Sequence, residues 1–207
     1  MPMDHTTRKD HWNKIYATKQ PGEVSWTQEN PKTSLEFIHN LTLSKSASII
    51  DVGGGDSRLV DKLLAEGFED ITVLDISEKA LLRAQARLGK MAKRVQWIVS
   101  DVTEFTTERT FDLWHDRAAF HFLTTDDQID KYLVRARKNV KEGGFMVIGT
   151  FSDSGPKECS GLAVKQYSEK LLEAQLGEGF RRINCLRETH ETPLRRYSIF
   201  FFVVTNE

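Results

Sequence analysis

Residues 47–60 read ASIIDVGGGDSRLV, and this stretch decides the fold. A short apolar run, Ser48 to Val52, ends in three consecutive glycines, Gly53, Gly54 and Gly55, and a new apolar pattern starts at Leu59. SIIDV reads as a buried strand. Arg58 to Gly67 reads as a helix with Leu59, Val60, Leu63 and Leu64 on its apolar face and Gly67 as its stop. Three glycines between a strand and a helix mark a tight turn whose backbone something approaches closely.

The same alternation continues outward. DITVLD (70–75), VQWIVSD (95–101) and FDLWHD (111–116) read as the second, third and fourth strands. Ser77 caps a helix carrying Leu81, Leu82 and Leu88 and ending at Gly89. Asp126 to Val140 reads as a helix with Ile129, Leu133 and Val134 apolar. Gly143-Gly144 then leads into a fifth strand, FMVIGTF (145–151). Residues 152–163 read as a loop and Val164 to Leu176 as a helix. Two long β-like runs, 180–193 and 195–207, meet at Thr192-Pro193-Leu194 as an antiparallel hairpin. SIFFFVV is apolar at consecutive positions, so it belongs inside the sheet with both faces covered. Strands alternating with helices give an α/β fold: a Rossmann-like seven-stranded sheet, parallel with a C-terminal antiparallel strand, and helices on both faces. Ahead of it, residues 1–40 read as an N-terminal arm: a short helix in HWNKIYATKQ, a turn and bend in PGEVSW, and a helix starting at Asn30-Pro31 with Leu35, Phe37 and Ile38 on one stripe. Residues 41–207 form the main domain.

The bulk numbers exclude several classes. The chain has 207 residues, enough for one domain with an arm. Lys plus Arg is 29 against 30 for Asp plus Glu, a net charge of −1, which argues against nucleic acid as the main partner. Two cysteines, Cys159 and Cys185, make no disulfide framework and no zinc-ligand spacing, so a reducing, cytoplasmic home is expected. The polar start MPMDHTTRKDHW has no apolar segment of signal-peptide type, and no run approaches the ~20 apolar residues of a spanning helix.

In open α/β sheets ligands bind at the carboxyl ends of the strands, where Asp51-Val52 and the glycines stand. A dinucleotide site of the Gly-x-Gly-x-x-Gly kind is a poor match, because Arg58 takes the sixth position. An acid such as Asp51 repels a pyrophosphate and attracts an ammonium group.

With IIDVGGGDS the chain resembles the class I S-adenosylmethionine-dependent methyltransferases, whose first motif is an acid, an apolar residue and a glycine-rich turn. The resemblance implies a cofactor site of Asp51, Gly53, Gly54 and Gly55. It also implies an acid on both ribose hydroxyls, met by Asp75 in TVLDIS, twenty residues past Gly55 and followed by Ile76. A third acid near the adenine is met by Asp101 in IVSDVT, with Val102 as a backbone contact. KEGGFMVIGTF and a final antiparallel strand pair complete the pattern. The usual third glycine is replaced by Ser57, whose hydroxyl contacts the methionine carboxylate or caps the helix. Trp12, Tyr16 and Trp26 resemble the aromatic arm of relatives of protein-lysine methyltransferases, where the arm lies over the cofactor.

The segment LWHDRAAFHFL (113–123) carries the remaining candidates. Asp116 and His121 are the catalytic candidates, Asp116 being favoured as the substrate contact and also counted among the cofactor contacts. The competing readings are a structural Asp116–Arg117 ion pair and packed histidines at His115 and His121. Cys159 lies in a loop that could roof the pocket, His190 faces solvent or the site, and Arg181-Arg182 and Arg195-Arg196 read as solvated strand faces. The expected activity is methyl transfer from S-adenosylmethionine to a protein lysine or a small molecule, with no metal and no membrane. A nicotinamide-dependent oxidoreductase and a non-catalytic S-adenosylmethionine-binding module are the alternatives.

Overall fold

The computed structural model describes residues 5–191 and 196–206, so the expected turn at Thr192-Pro193-Leu194 lies outside the described residues, as does Arg195. Helix α1 (His5–Thr18) is longer than the helix expected from residue 11, and a 3₁₀ turn at Pro21–Glu23 follows it. Helix α2 is Lys32–Asn40, with Pro31 just ahead of it and Leu35, Phe37 and Ile38 buried. Strand β1 (Ser48–Val52), helix α3 (Leu59–Ala65), strand β2 (Asp70–Asp75), helix α4 (Glu78–Leu88) and strand β3 (Val95–Val99) then alternate as expected. Strand β4 (Phe111–Arg117), helix α5 (Asp126–Asn139) and strand β5 (Val140–Phe151) continue the pattern. The chain closes with a small ribbon of β6 (Glu158–Cys159) and β7 (Leu162–Ala163), helix α6 (Glu169–Leu176), and the long strands β8 (Phe180–Glu191) and β9 (Arg196–Asn206).

The seven long strands form one sheet in the order β3-β2-β1-β4-β5-β9-β8. Strand β1 pairs in parallel with β2 on one side and β4 on the other. The strand order therefore reverses between β1 and β4, and a crevice opens at their carboxyl ends. Strand β9 runs antiparallel to β5 and β8, and every residue from Ile199 to Val204 is buried. Alternation along β1 sends Ile50 and Val52 to one apolar layer with α5 and α6, and Ile49 to the other with α2 and α3.

Four expectations need correction. Gly143 and Gly144 lie within β5 rather than ahead of it, where the register with β4 shifts between Phe111 and Leu113. Gly143 has φ +71°, which no Cβ-bearing residue adopts easily. Helix α6 starts at Glu169 instead of Val164, because Tyr167 N–H donates to Phe151 O at 3.0 Å and the Ser168 hydroxyl caps Leu171 N–H at 3.2 Å. Residues 152–163 hold the β6–β7 ribbon, whose turn residues Ser160 and Gly161 both have positive φ. Two apolar residues placed on helix faces, Leu82 and Val134, point outward instead.

Phe201 is 1% exposed at the centre of β9 and packs on Phe37 of α2, 5.7 Å between rings. Phe201→Ala should lower unfolding stability by about 3–5 kcal/mol, read from the urea midpoint. Val134→Ala, at a position 59% exposed, should move it by less than about 0.5 kcal/mol.

Candidate functional site

A cavity occupies the crevice at the carboxyl ends of β1, β2 and β4, and α1 roofs it. Its floor is the glycine turn. A Cβ on Gly54 would stand 2.5 Å from Asp51 Oδ2, and one on Gly53, at φ +65°, would stand 2.5 Å from the Ala119 Cβ. The chain passes too closely for side chains at either place. Gly55 does not line the cavity; a Cβ there would meet the Asp75 carboxylate and the Tyr16 hydroxyl, each at 3.0 Å.

Asp51 is buried at the end of β1. Its Oδ1 lies 2.7 Å from His115 Nδ1 on the paired strand β4, and His115 Nε2 lies 2.9 Å from the Ser34 hydroxyl of α2. A carboxylate only accepts, so in the neutral ring Nδ1–H donates to Asp51 and Nε2 accepts from Ser34. Asp51 Oδ2 is buried and has no hydrogen-bond partner. An orphaned carboxylate oxygen is costly to bury, and a cationic ligand group would offset that cost.

Asp75 ends β2 and lines the same cavity. Its Oδ1 accepts from Ser77 N–H at 2.7 Å. Burial pushes the carboxyl up to about 7, with the Asp51 charge adding to it against the bonds from Ser77 and Gly55. Asp101 is different: burial opposes its ionisation, but Arg8 and Thr103 outweigh that and hold its carboxyl below the usual range. Its Oδ1 accepts from Thr103 N–H and hydroxyl at 2.8 and 2.7 Å, and Arg8 Nε donates to Oδ2 at 3.2 Å. Ile76 and Val102 stand beside these two acids on the wall.

The arm reaches the site through one helical face. Arg8, Trp12 and Tyr16 follow one another at four-residue spacing and all line the cavity. Trp12 lies edge-on to Trp26 at 5.8 Å and to Phe122 at 5.0 Å. The Ser77 hydroxyl donates to Asn13 Oδ1 at 2.9 Å, and Arg83 donates to Lys19 O at 2.7 Å, so α1 is clamped on α4. Burial and then the charge of Asp75 push the Tyr16 hydroxyl up, so it stays protonated. The structure thus brings Trp12, Tyr16 and Trp26 together. Arg8, which residue-by-residue reading missed, was marked by the same four-residue repeat.

Asp116 does not reach the cavity. Its Oδ1 accepts from Ala119 and Phe120 N–H at 3.0 and 3.1 Å, and its Oδ2 accepts from the Tyr132 hydroxyl at 2.9 Å. Burial pushes its carboxyl up to about 6 despite these donors. It holds the turn through Ala118, a non-glycine residue at φ +73°, and so acts as a positioning residue rather than as the expected contact. Nor does it pair with Arg117, whose guanidinium turns to the cavity and donates to Trp26 O at 3.0 Å.

His121 does line the cavity, buried, stacked on Phe151 at 4.3 Å, with neither ring nitrogen hydrogen-bonded. Burial and then the charge of Arg117 push it down to about 3, so the ring is neutral. His190 faces the site, its Nε2 3.2 Å from Ser25 O and its Nδ1 3.3 Å from Gln28 Nε2. Cys159 also lines the cavity. The Ser57 hydroxyl accepts from Leu59 N–H at 3.1 Å, the capping alternative. Arg58 pairs with Glu29 at 3.3 Å, and Arg182 pairs with Glu169. Among the described residues no group of His, Cys, Asp and Glu could hold a metal ion, and no helix is long and apolar enough to cross a membrane.

Comparison with known proteins gives this geometry a context. Residues 49–144 match the family model of a methyltransferase domain. The eEF1A lysine and N-terminal methyltransferase of Mus musculus is 24% identical over 143 residues, covering 65% of this chain and 20% of that protein. Nodulation protein S of Rhizobium tropici is 28% identical over 126 residues, covering 61% of this chain and 52% of that protein. The chain thus spans from 20% to 52% of the length of these curated relatives. The crystal structure of the N-methyltransferase NodS from Bradyrhizobium japonicum in complex with S-adenosyl-L-homocysteine aligns at a TM-score of 0.70 and 19% identity, over 99% of both chains. At that identity the likeness establishes the fold.

Asp75 supplies a test. A ribose diol donates hydrogen bonds and prefers the ionised carboxylate, while the buried group holds its proton up to about pH 7. Ligand binding is therefore full above that value and lost below it. S-adenosylhomocysteine measured by calorimetry should bind about tenfold more weakly at pH 6 than at pH 8. Asp75→Asn should bind weakly and lose this part of the pH dependence.

Proposed function

We infer that this chain, whose residues 49–144 match a methyltransferase domain, is a class I S-adenosylmethionine-dependent methyltransferase that transfers a methyl group from S-adenosylmethionine to a nucleophile held in the same cavity. The observation that carries the reading is the partnerless Oδ2 of Asp51 beneath Gly54, in a floor where a Cβ would not fit. The residues present suit the cofactor. Asp51 would attract its ammonium group, Asp75 would accept from its ribose hydroxyls, and Gly53 and Gly54 would let it lie against the backbone. Asp101, Ile76 and Val102 would flank the base, with Arg8 and the aromatic arm above. When bound, S-adenosylmethionine supplies a methyl group on a positively charged sulfur, which leaves as a neutral thioether as the acceptor bond forms.

The chain's own residues have the work of alignment, and holding reactants in line can supply ~7–11 kcal/mol of a barrier. Residues 1–40 act as the closing arm, and Trp12, Tyr16 and Trp26 exclude water from the cavity. A neutral His121, low in basicity, orients the acceptor by accepting a hydrogen bond from its N–H or O–H and does not store a proton. Asp116 fixes the turn that presents His121. A pyrophosphate would meet repulsion from Asp51 and Asp75, which counts against the nicotinamide reading. The low cysteine count fits a cytoplasmic home.

The test is a thermal melt with S-adenosylhomocysteine, S-adenosylmethionine and NAD. A ligand at 100 times its dissociation constant should add about 2.7 kcal/mol. Both adenosyl-sulfur ligands should raise the melting temperature of the wild type, and Gly54→Ala, which drives a methyl into Asp51 Oδ2, should lose the response. A rise with NAD alone overturns the reading. Binding without transfer of labelled methyl to either the protein or the small-molecule fraction of an extract leaves a non-catalytic binding module.

A further inference from the structure

The end of the cavity beneath Trp26 carries a charge that pairs with no carboxylate among the described residues. Arg117 is the last residue of β4, and its side chain turns inward under Trp26. NH1 donates to Trp26 O, but Nε is buried with no partner. Among the described residues no carboxylate lies within ion-pair distance of it. The acidic groups that act on it from further off are the Tyr197 phenol, Glu188 and Asp51. Glu188 accepts from the Thr33 hydroxyl at 2.5 Å, and Asp51 Oδ1 is taken by His115. The other two arginines of the cavity are paired, Arg8 with Asp101 and Arg58 with Glu29. A guanidinium with a buried, unpartnered Nε and no counter-ion is costly, and a planar carboxylate matches its donor fork.

The surroundings define the rest of the ligand. His121, 1% exposed, offers two unpartnered nitrogens, one donor and one acceptor in the neutral ring. Phe151, stacked against it, and Phe122 give an aromatic wall. A second cavity between α1 and the β6–β7 ribbon shares Trp26, Phe151, Cys159 and Tyr197 with the first, so these side chains form the wall between the two.

We propose that the methyl acceptor is a small apolar or aromatic carboxylate, anchored by Arg117 and oriented by His121 against Phe151. This rests on the methyltransferase reading and narrows it. A lysine side chain or a protein N-terminus would bring an ammonium group towards an unneutralised guanidinium, so the same charge disfavours those acceptors. A carboxylate gripped by guanidinium is a poor nucleophile, so the methyl goes to a second group on the acceptor, an amine or hydroxyl facing His121: the methyl–sulfur bond breaks as the new bond forms, the sulfur leaves as a neutral thioether, and the acceptor's proton passes to solvent.

Benzoate, benzamide and benzylamine serve as probes on the protein saturated with S-adenosylhomocysteine, with Arg117→Met and Arg117→Lys as variants. Benzoate should raise the melting temperature of the wild-type complex while benzamide and benzylamine do not. Arg117→Met should bind benzoate at least tenfold more weakly, and Arg117→Lys, which keeps the charge and loses the fork, should fall between. Both variants should hold S-adenosylhomocysteine within about twofold of the wild type, since Arg117 is assigned to the acceptor. Loss of S-adenosylhomocysteine affinity in both variants would assign Arg117 to the cofactor's own carboxylate and overturn the proposal. A response to benzylamine instead of benzoate, no response to benzoate, or a benzoate response unchanged in Arg117→Met would each overturn it as well. Failure of the wild type to bind S-adenosylhomocysteine at all would strike the methyltransferase reading itself.

Discussion

The hydrogen bond between His115 and Asp51, 2.7 Å long, joins the ends of the two central strands at the point where the strand order reverses. It does three things at once. It satisfies one oxygen of a buried carboxylate, it leaves the other oxygen for a ligand, and through Ser34 it ties α2 to the floor of the crevice. The glycine turn then has to fold over that carboxylate, because any Cβ at Gly54 would collide with it. Buried polar chains of this kind hold a geometry only while every other member is satisfied.

Around that anchor, charge is distributed with a clear sense. One side holds Asp51, Asp75 and Asp101; among the described residues Asp51 pairs with His115 and Asp101 with Arg8. The other side holds Arg117 with His121 and His190 kept from charging, in each case chiefly by burial and then by Arg117 itself. An acidic end of the cavity thus abuts a basic end. The arm covers both: Arg8, Trp12 and Tyr16 lie over the acids, while Ser25 and Gln28 bond His190 from the β8–β9 hairpin.

The turn after β4 shows how a buried acid can matter without touching a ligand. Asp116 receives two backbone N–H groups and the Tyr132 hydroxyl, which in turn accepts from Trp114 Nε1 at 2.9 Å. These bonds hold Ala118 in its left-handed conformation and send Arg117 and His121, on either side of it, into the same cavity.

Local pattern was enough for the alternation of strands and helices, the glycine turn, the ends of α3 and α4, and the fully buried β9. Each depends on side-chain period, caps or consecutive apolar residues, which act over a few positions. The acids at the ends of β1 and β2 were legible for the same reason, since strand ends and the crevice are set by the alternation itself. The start of α6 was not, because Tyr167 is held extended by a bond to Phe151, sixteen residues earlier. The roles within 113–123 were not legible either. In FDLWHDRAAFHF, His115, Asp116, Arg117 and His121 are equally polar, and one residue of difference along a strand reverses the face a side chain meets. Sequence by itself determined the fold, the crevice and the acids that rim it; only the tertiary structure decided that Asp116 serves the backbone while Arg117 and His121 face the cavity, because those assignments depend on which partners the distant segments bring to each side chain.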